Sequence, residues 1–268
     1  MVYRECRRGE VEELRKPLVS VIMPVYNEEG SIRKAIKTVI DQTYKKFELI
    51  VVDDGSTDRT PDIVKALQEV DERIIYLRNE ENRGTTYSLN RGLRRASGEY
   101  IARIDGDDWY HPRKLELQVK FLEGHREYGI VGTFYILVDE SGRAVKVQLP
   151  VTHSEIMKRM AYRNAFAHSS IMVRRTVLDM VGYYDERYEY AQDYDLYFRI
   201  LEVSKGYNLP FYLLYRMRRR QKRKILIKRT LNSILIPLRH RRILRRNVIY
   251  YPLLARRFLT LWRALISS

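Results

Sequence analysis

A chain of 268 residues with 45% hydrophobic residues has material for one large domain or two modest ones, and its single cysteine, Cys6, excludes an internal disulfide and fits a reducing compartment. The net charge of +16 is unevenly spread: residues 1–215 carry 33 Lys/Arg against 34 Asp/Glu, while residues 216–268 carry 17 Lys/Arg and no acid. This predicts a charge-balanced globular body and a separate basic segment that meets an anionic partner. Residues 1–17 read as a charged lead-in without the apolar centre of a signal peptide.

The first strong element is Leu18–Tyr26, a nearly continuous apolar run of the kind expected for a parallel strand covered on both faces. The turn Asn27-Glu28-Glu29-Gly30 follows, then a helix with Ile32, Ile36, Val39 and Ile40 at helical spacing. Phe47–Val52 reads as the second strand and ends in Asp53-Asp54-Gly55-Ser56-Thr57-Asp58. Thr60 as N-cap with Pro61 behind it opens a helix whose buried face is Ile63, Leu67 and Val70. Ile74–Leu77 is a third strand. Asn82-Arg83-Gly84 turns into a helix carrying Leu89, Leu93 and Ala96. Tyr100-Ile101-Ala102 is a fourth strand and runs into Ile104-Asp105-Gly106-Asp107-Asp108-Trp109; Pro112 opens a helix with Leu115, Val119 and Leu122.

Four alternations of strand and helix predict an α/β fold, a parallel sheet with helices on both faces and with ligands at the strand C-termini. Three of those ends are acidic or polar: Tyr26-Asn27-Glu28, Asp53-Asp54 and Asp105-Gly106-Asp107-Asp108. Taken alone, the last reads as a polar turn sooner than as a site, and the shared rim reverses that preference. On a shared rim the carboxylates are hard oxygen donors suited to Mg²⁺ or Mn²⁺. Neither G-x-G-x-x-G after the first strand nor G-x-x-x-x-G-K-[ST] is present, which speaks against a dinucleotide cofactor and a P-loop NTPase.

After residue 125 the rhythm changes. Ile130–Val138 and Ala144–Val147 read as a hairpin about Asp139–Gly142, residues 153–162 as a helix, Ser169–Val173 as a strand and Gly182–Asp185 as a loop. Gln192-Asp193-Tyr194-Asp195 opens a helix with Leu196, Ile200 and Val203 inward, and Asp195 is expected to be structural or solvent-facing.

Four blocks, Val19–Glu28, Val51–Asp58, Asp105–Asp108 and Gln192–Leu196, resemble family 2 glycosyltransferases in order and spacing, over about residues 18–216. The resemblance implies a GT-A type nucleotide-binding sheet (18–125) merged with an acceptor-binding, catalytic portion (126–215), and transfer from a nucleotide diphosphate sugar, with a UDP-sugar favoured, to a glycan or lipid-linked acceptor with inversion. It implies that Pro24, Tyr26 and Glu28 line the nucleoside pocket, that Asp54 accepts from the base with Asp53 beside it, and that Arg83 contacts phosphate or base. Asp105 would hold ribose or metal, and Asp107, with Asp108, the Mn²⁺ or Mg²⁺. Asp193 would be the general base; a plain helix N-cap is the competing reading. His168 stands near the acceptor or donor sugar of the family and is equally readable as structural. Where the family commonly has a metal-touching His, this chain has Arg218, which pairs with phosphate rather than with a cation. The Gln-x-x-Arg-Trp motif of processive members is missing, which predicts single additions. A non-catalytic nucleotide-binding module recruited to membranes and a nucleotidyltransferase are the alternative readings.

Residues 216–268 interleave arginines with apolar pairs, and their longest charge-free runs, Thr230–Leu238 and Asn247–Ala255, fall short of the ~20 residues a bilayer span needs. Basic amphipathic helices carrying Trp262 and broken by Pro237 and Pro252 predict a segment lying on an anionic membrane, which places the protein at the cytoplasmic, inner face of the cell membrane. A basic helix packed on the body is the plainer reading. Nucleic acid is not expected, because the acidic cleft repels it.

Overall fold

The computed structural model describes residues 16–218, 231–232 and 235–244. Its centre is β1 (Val19–Val25), every residue of which is buried. Parallel neighbours flank it, β2 (Phe47–Asp53) on one side and β4 (Tyr100–Arg103) on the other, and β3 (Ile74–Arg78) extends the parallel set beyond β2. Successive side chains on a strand point to opposite faces. Val19, Val21 and Met23 accordingly join one core with Ile32, Ile36 and Val39 of α1 (Ile32–Ile40), and Ile22 joins the other with Leu89 and Leu93 of α3 (Thr85–Arg95). Helices α2 (Thr60–Gln68) and α4 (Lys114–Gly124) cover the first of these faces. At Gly92 of α3 an added Cβ would stand 2.7 Å from Ile22 Cγ2, so the helix rests on the sheet by virtue of a missing side chain.

The sheet does not stop at β4. Its order is β3-β2-β1-β4-β8-β6-β9-β5, with β7 (Ala144–Val147) paired to β6. β8 (Met172–Arg174) runs antiparallel to β4, β6 (Tyr128–Val138) antiparallel to β8, and β9 (Lys205–Met217) parallel to β6. β5 (Trp109–Tyr110) closes the row, antiparallel to β9. The whole is a mixed α/β sheet with flanking helices. The expected parallel character holds for its first four strands, and the second half continues the same sheet. Two reversals restore the direction of β4, so β6 and β9 end on the same rim as β1, β2 and β4. Helices α5 (His153–Met160), α6 (Arg175–Val181) and α7 (Gln192–Val203) complete the body. Thr152 and Glu155 form a reciprocal capping box at the start of α5.

Several local expectations are corrected. Thr60 is the first residue of α2 and not its cap; its amide donates to Asp58 Oδ1, and its hydroxyl accepts from Glu28 N at 2.8 Å. Val70 lies beyond the end of α2 and is 79% exposed, while Val64 takes the buried place. The strand expected at Ser169–Val173 begins as a 3₁₀ turn, His168–Ser170; the backbone is extended at Ile171, and the strand itself starts at Met172. Val203 ends α7 and is 49% exposed; Tyr194, Tyr197 and Phe198 are the buried residues beside Leu196 and Ile200. Asp195 is structural, as expected, yet it is 3% exposed rather than solvent-facing. Of the basic stretch, Arg216 and Met217 belong to β9 and Arg218 follows it, residues 231–232, 235–239 and Arg241–Leu244 are helical with a turn at His240, and residues 219–230, 233–234 and 245–268 lie outside the described residues. Among the described residues no helix is long and apolar enough to cross a membrane.

Candidate functional site

The strand ends enclose a cavity of about 450 Å³. Pro24, Tyr26 and Glu28 reach it from β1, Asp54 from β2, Asp105–Asp108 from β4, Leu137 from β6, Arg216–Arg218 from β9, and Thr85 and Ser88 from α3. The ends of β1 and β2 are laced together. Asn27, with φ 53°, donates its amide to Ser56 Oγ and accepts from Thr57 N; Glu29 N donates to Asp58 Oδ2.

The two acids after β2 differ in role. Asp53 is fully buried and does not line the cavity: Oδ1 accepts from Ser56 N, and Oδ2 accepts from Tyr76 Oη at 2.6 Å. Asp54 does line it, and its Oδ1 accepts from Asn79 Nδ2, Arg83 N and Ser88 Oγ. Among the described residues its Oδ2 accepts only from Gly84 N, at 2.8 Å, which leaves a lone pair on that oxygen for a ligand N–H. Arg83 reaches Asp54 only through its backbone. Its guanidinium lies over the Tyr87 ring, 3.7 Å from the centroid, beside a separate groove with Glu186, Glu189 and Tyr190.

The acidic turn after β4 is braced by an arginine that the sequence reading passed over. Arg103 and Asp105 stand two apart on extended chain, so both point the same way. Arg103 forks onto both oxygens of Asp105, and Ser169 Oγ donates to Oδ2 at 3.0 Å. Burial pushes the Asp105 carboxyl up, but the Arg103 charge outweighs it and holds the group well below the usual carboxylate range. At Gly106 an added Cβ would meet Val25 Cγ1 at 2.9 Å, so the turn lies flush against the end of β1. Asp108 is 1% exposed. Its Oδ1 accepts from Met217 N at 3.1 Å, and its Oδ2 is buried with no hydrogen-bond partner among the described residues. Burial first, and then the charge of Asp105, pushes its pKa up to about 7.

Asp105, Asp107 and Asp108 can each bring one oxygen to within 4.8 Å of the others. Oxygens on opposite sides of one hard cation stand roughly 4–5 Å apart, so the spacing suits Mg²⁺ or Mn²⁺. An orphaned buried carboxylate oxygen is costly unless something meets it, and a cation would. The residues therefore fit a divalent metal.

Arg216 went unrecognised in the sequence. It lines the cavity, is largely buried, and has neither a hydrogen bond nor an ion pair among the described residues. Burial lowers its affinity for a proton, but Asp108 and Asp105 raise it further, so it is a fixed cation aimed at an anion. Arg218 lines the cavity beside it and is exposed.

Asp193 and His168 stand outside this lining. The N-cap of α7 is Ala191, at φ 64°, which puts Asp193 inside the first turn and removes the N-cap reading. Its Oδ2 accepts from Asn164 Nδ2 at 2.8 Å. His168 Nε2 meets Tyr184 Oη at 2.7 Å, and burial drives the imidazole pKa well below its ordinary value, so the ring is neutral. Tyr184 and Tyr197 feel the charges of both Asp193 and Arg103, which brings the α7 turn within electrostatic reach of the acidic turn.

The family model described as Glycosyl transferase family 2 matches residues 20–182. The chain belongs to glycosyl transferase family 2. Among curated relatives, EpsE of Bacillus subtilis (strain 168), a candidate glycosyltransferase by its name, is 41% identical over 207 residues, 75% of this chain and 73% of that protein. The uncharacterized glycosyltransferase MJ1057 of Methanocaldococcus jannaschii is 35% identical over 213 residues, 77% of this chain and 73% of its own. The fold matches the mannosyltransferase PcManGT from Pyrobaculum calidifontis, solved in complex with GDP-Man and Mn²⁺ (TM-score 0.68, 22% identity, 94% of this chain and 75% of that one). It also matches S. aureus TarS 1–349 in complex with UDP-GlcNAc (TM-score 0.65, 21% identity, 84% and 70%). The protein is thus a nucleotide-sugar-dependent glycosyltransferase of family 2 and GT-A fold, and membership implies inversion at the transferred carbon.

Proposed function

We propose that this family 2 enzyme moves a sugar from a UDP-sugar to a hydroxyl of a glycan or lipid-linked acceptor, one addition at a time, with a divalent metal. The observation that supports it most is the meeting, in one cavity with Asp54, of an Asp108 oxygen and an Arg216 guanidinium that have no partner among the described residues. One wants a cation and the other an anion, and a metal-bound diphosphate supplies both.

In this reading the nucleoside lies between Tyr26, Glu28 and Asp54, whose free lone pair accepts a base N–H. Asp105 stays with Arg103 and offers its remaining lone pairs to ribose. Asp107 and Asp108, with Asp105 as a further ligand, would hold Mn²⁺ or Mg²⁺, which supplies Lewis-acid stabilisation of the departing diphosphate. Arg216 and Arg218 pair with the same charge as it develops. Asp193, oriented by Asn164, takes the proton of the acceptor hydroxyl as that oxygen attacks from the face opposite the leaving group. Neutral His168 acts beside it as a hydrogen-bonding group held by Tyr184. The basic stretch beyond β9 rests on anionic lipid at the cytoplasmic face of the membrane, each basic residue near the surface contributing about 1 kcal/mol.

The test is release of nucleoside diphosphate from UDP-sugars with and without Mn²⁺. Asp107→Ala should lose metal-stimulated release, and Asp193→Ala should lose release while keeping nucleotide affinity. Wild-type turnover in Asp193→Ala removes the base assignment. Pyrophosphate from a nucleoside triphosphate would instead mark a nucleotidyltransferase.

A further inference from the structure

Two acids share the first turn of α7. At 3.6 residues per turn, Asp193 and Asp195 lie about 200° apart around the axis and face nearly opposite sides. Asp193 looks toward Asn164. Asp195 looks the other way, and both of its oxygens are used: Oδ2 accepts from Arg199 Nε at 2.9 Å, and Oδ1 meets His240 Nε2 at 3.0 Å.

His240 comes from the basic C-terminal stretch. Its other nitrogen faces Glu202 Oε1 at 3.4 Å, and its ring lies flat on Phe198, with centroids 5.0 Å apart and planes at 7°. Ile236 and Leu244 are fully buried in the core that holds Tyr194, Tyr197 and Phe198. The same stretch grips the loop leading into α7. Asn232 Nδ2 donates to Tyr190 O at 2.8 Å, Arg239 Nη1 donates to Tyr188 Oη at 2.8 Å, and Arg239 stands 4.0 Å from Asp185. From the opposite side α3 holds that loop through Thr86 Oγ1 to Tyr188 O and Asn90 Nδ2 to Tyr184 O. The loop ends at Ala191, whose left-handed backbone costs a non-glycine residue about 1–2 kcal/mol and persists only where the surroundings impose it.

We propose that Asn232, Arg239 and His240 form a positioning clamp for the catalytic turn: His240 acting through Asp195, and Asn232 and Arg239 acting through the 185–190 loop, set where Asp193 stands. The inference rests on Asp193 being the base. The basic stretch is then part of the catalytic machinery's support, whatever surface its remainder meets. The donor cavity receives no contact from Asn232, Arg239 or His240, so the clamp acts on turnover and not on nucleotide affinity.

The experiment uses the full chain with His240→Ala, His240→Gln and Arg239→Ala. It reads the Kd of UDP with Mn²⁺, nucleoside diphosphate release from UDP-GlcNAc, and backbone amide exchange. In His240→Ala, kcat should fall about 10–100-fold while the UDP Kd stays within about 2-fold, because a misplacement near 1 Å costs rate rather than ground-state binding. His240→Gln, which can still donate to Asp195, should recover most of it. Exchange should quicken in 185–195 and stay unchanged in β1 and β2. Equal losses of kcat and UDP affinity would overturn the proposal, as would unchanged kcat with quickened exchange. Where His240→Ala does not fold, Arg239→Ala, at an exposed contact, gives the same readings. If the wild-type enzyme releases nothing from UDP-GlcNAc, that donor has failed and the kinetic arm moves to the UDP-sugar that the wild type does cleave; if Asp193→Ala turns over normally, the base assignment has failed; unchanged exchange at 185–195 in His240→Ala sinks the clamp by itself.

Discussion

Replacing Arg216 by methionine keeps the aliphatic stem and removes the fixed cation of the donor cavity. The guanidinium has no hydrogen-bond or ion-pair partner among the described residues, so the substitution orphans no acceptor there, and the loss falls on the ligand. A hydrogen bond to a charged group contributes about 1.5–3 kcal/mol, which is roughly 10–150-fold in Kd. UDP titrated calorimetrically with Mn²⁺ should weaken by that factor, and uridine should be unaffected. Because Arg216 is largely buried, the deficit should persist in high salt, whereas any deficit from Arg218→Met, at an exposed side chain, should shrink as salt screens it. Without nucleotide the sign reverses: Arg216 opposes a cation beside Asp105 and Asp108, so Mn²⁺ alone should bind Arg216→Met more tightly. Equal loss for UDP and uridine, or a UDP loss under about 3-fold, refutes the diphosphate role.

Two further outcomes concern the frame of the site. Lys114 is fully buried with one acceptor among the described residues, Gln118 Oε1, at 2.8 Å and the Tyr110 ring 3.9 Å away, and burial sets its pKa well below the ordinary lysine value. Between the folded and unfolded pKa values only the unfolded chain holds the proton, so stability rises with pH. Urea unfolding from pH 8 to 10 should show wild type gaining on Lys114→Met by up to about 1.4 kcal/mol per pH unit; a flat difference contradicts it. Gly55 has φ 76°, and an added Cβ would stand 2.8 Å from the Glu81 carbonyl carbon. Gly55→Ala should therefore cost at least about 2 kcal/mol and lower Tm by roughly 4–8 °C in a thermal melt.

The first half of the fold was readable because its signals are local. Each strand from β1 to β4 is a short apolar run, each helix shows its spacing, and the acids at the strand ends follow directly. β9 was not readable. Its thirteen residues include Asn208 and Pro210, and its pairing to β6 shifts register three times, at Tyr128/Ile130, Thr133/Phe134 and Phe134/Tyr135. No period of two survives such a path. Arg216 escaped notice for the same reason, since nothing local shows that β9 ends beside Asp108. Arg103 was within reach, two residues before Asp105 on a strand. The choice for Asp195 between structural and solvent-facing stayed open in the sequence because its partners, Arg199 and His240, are one turn and 45 residues away.

Asp54 is the feature with the widest consequence for anyone wishing to retune the enzyme. Four of its own chain's donors converge on that carboxylate, from β3's exit, the loop before α3 and α3 itself. If Asp54 reads the base as proposed, a substitution there removes the anchor of these four donors along with the recognition, so selection for a different nucleobase would stall at destabilised variants. Tyr26, which is exposed and lines the same cavity, is open to change, and libraries seeking new donors belong there.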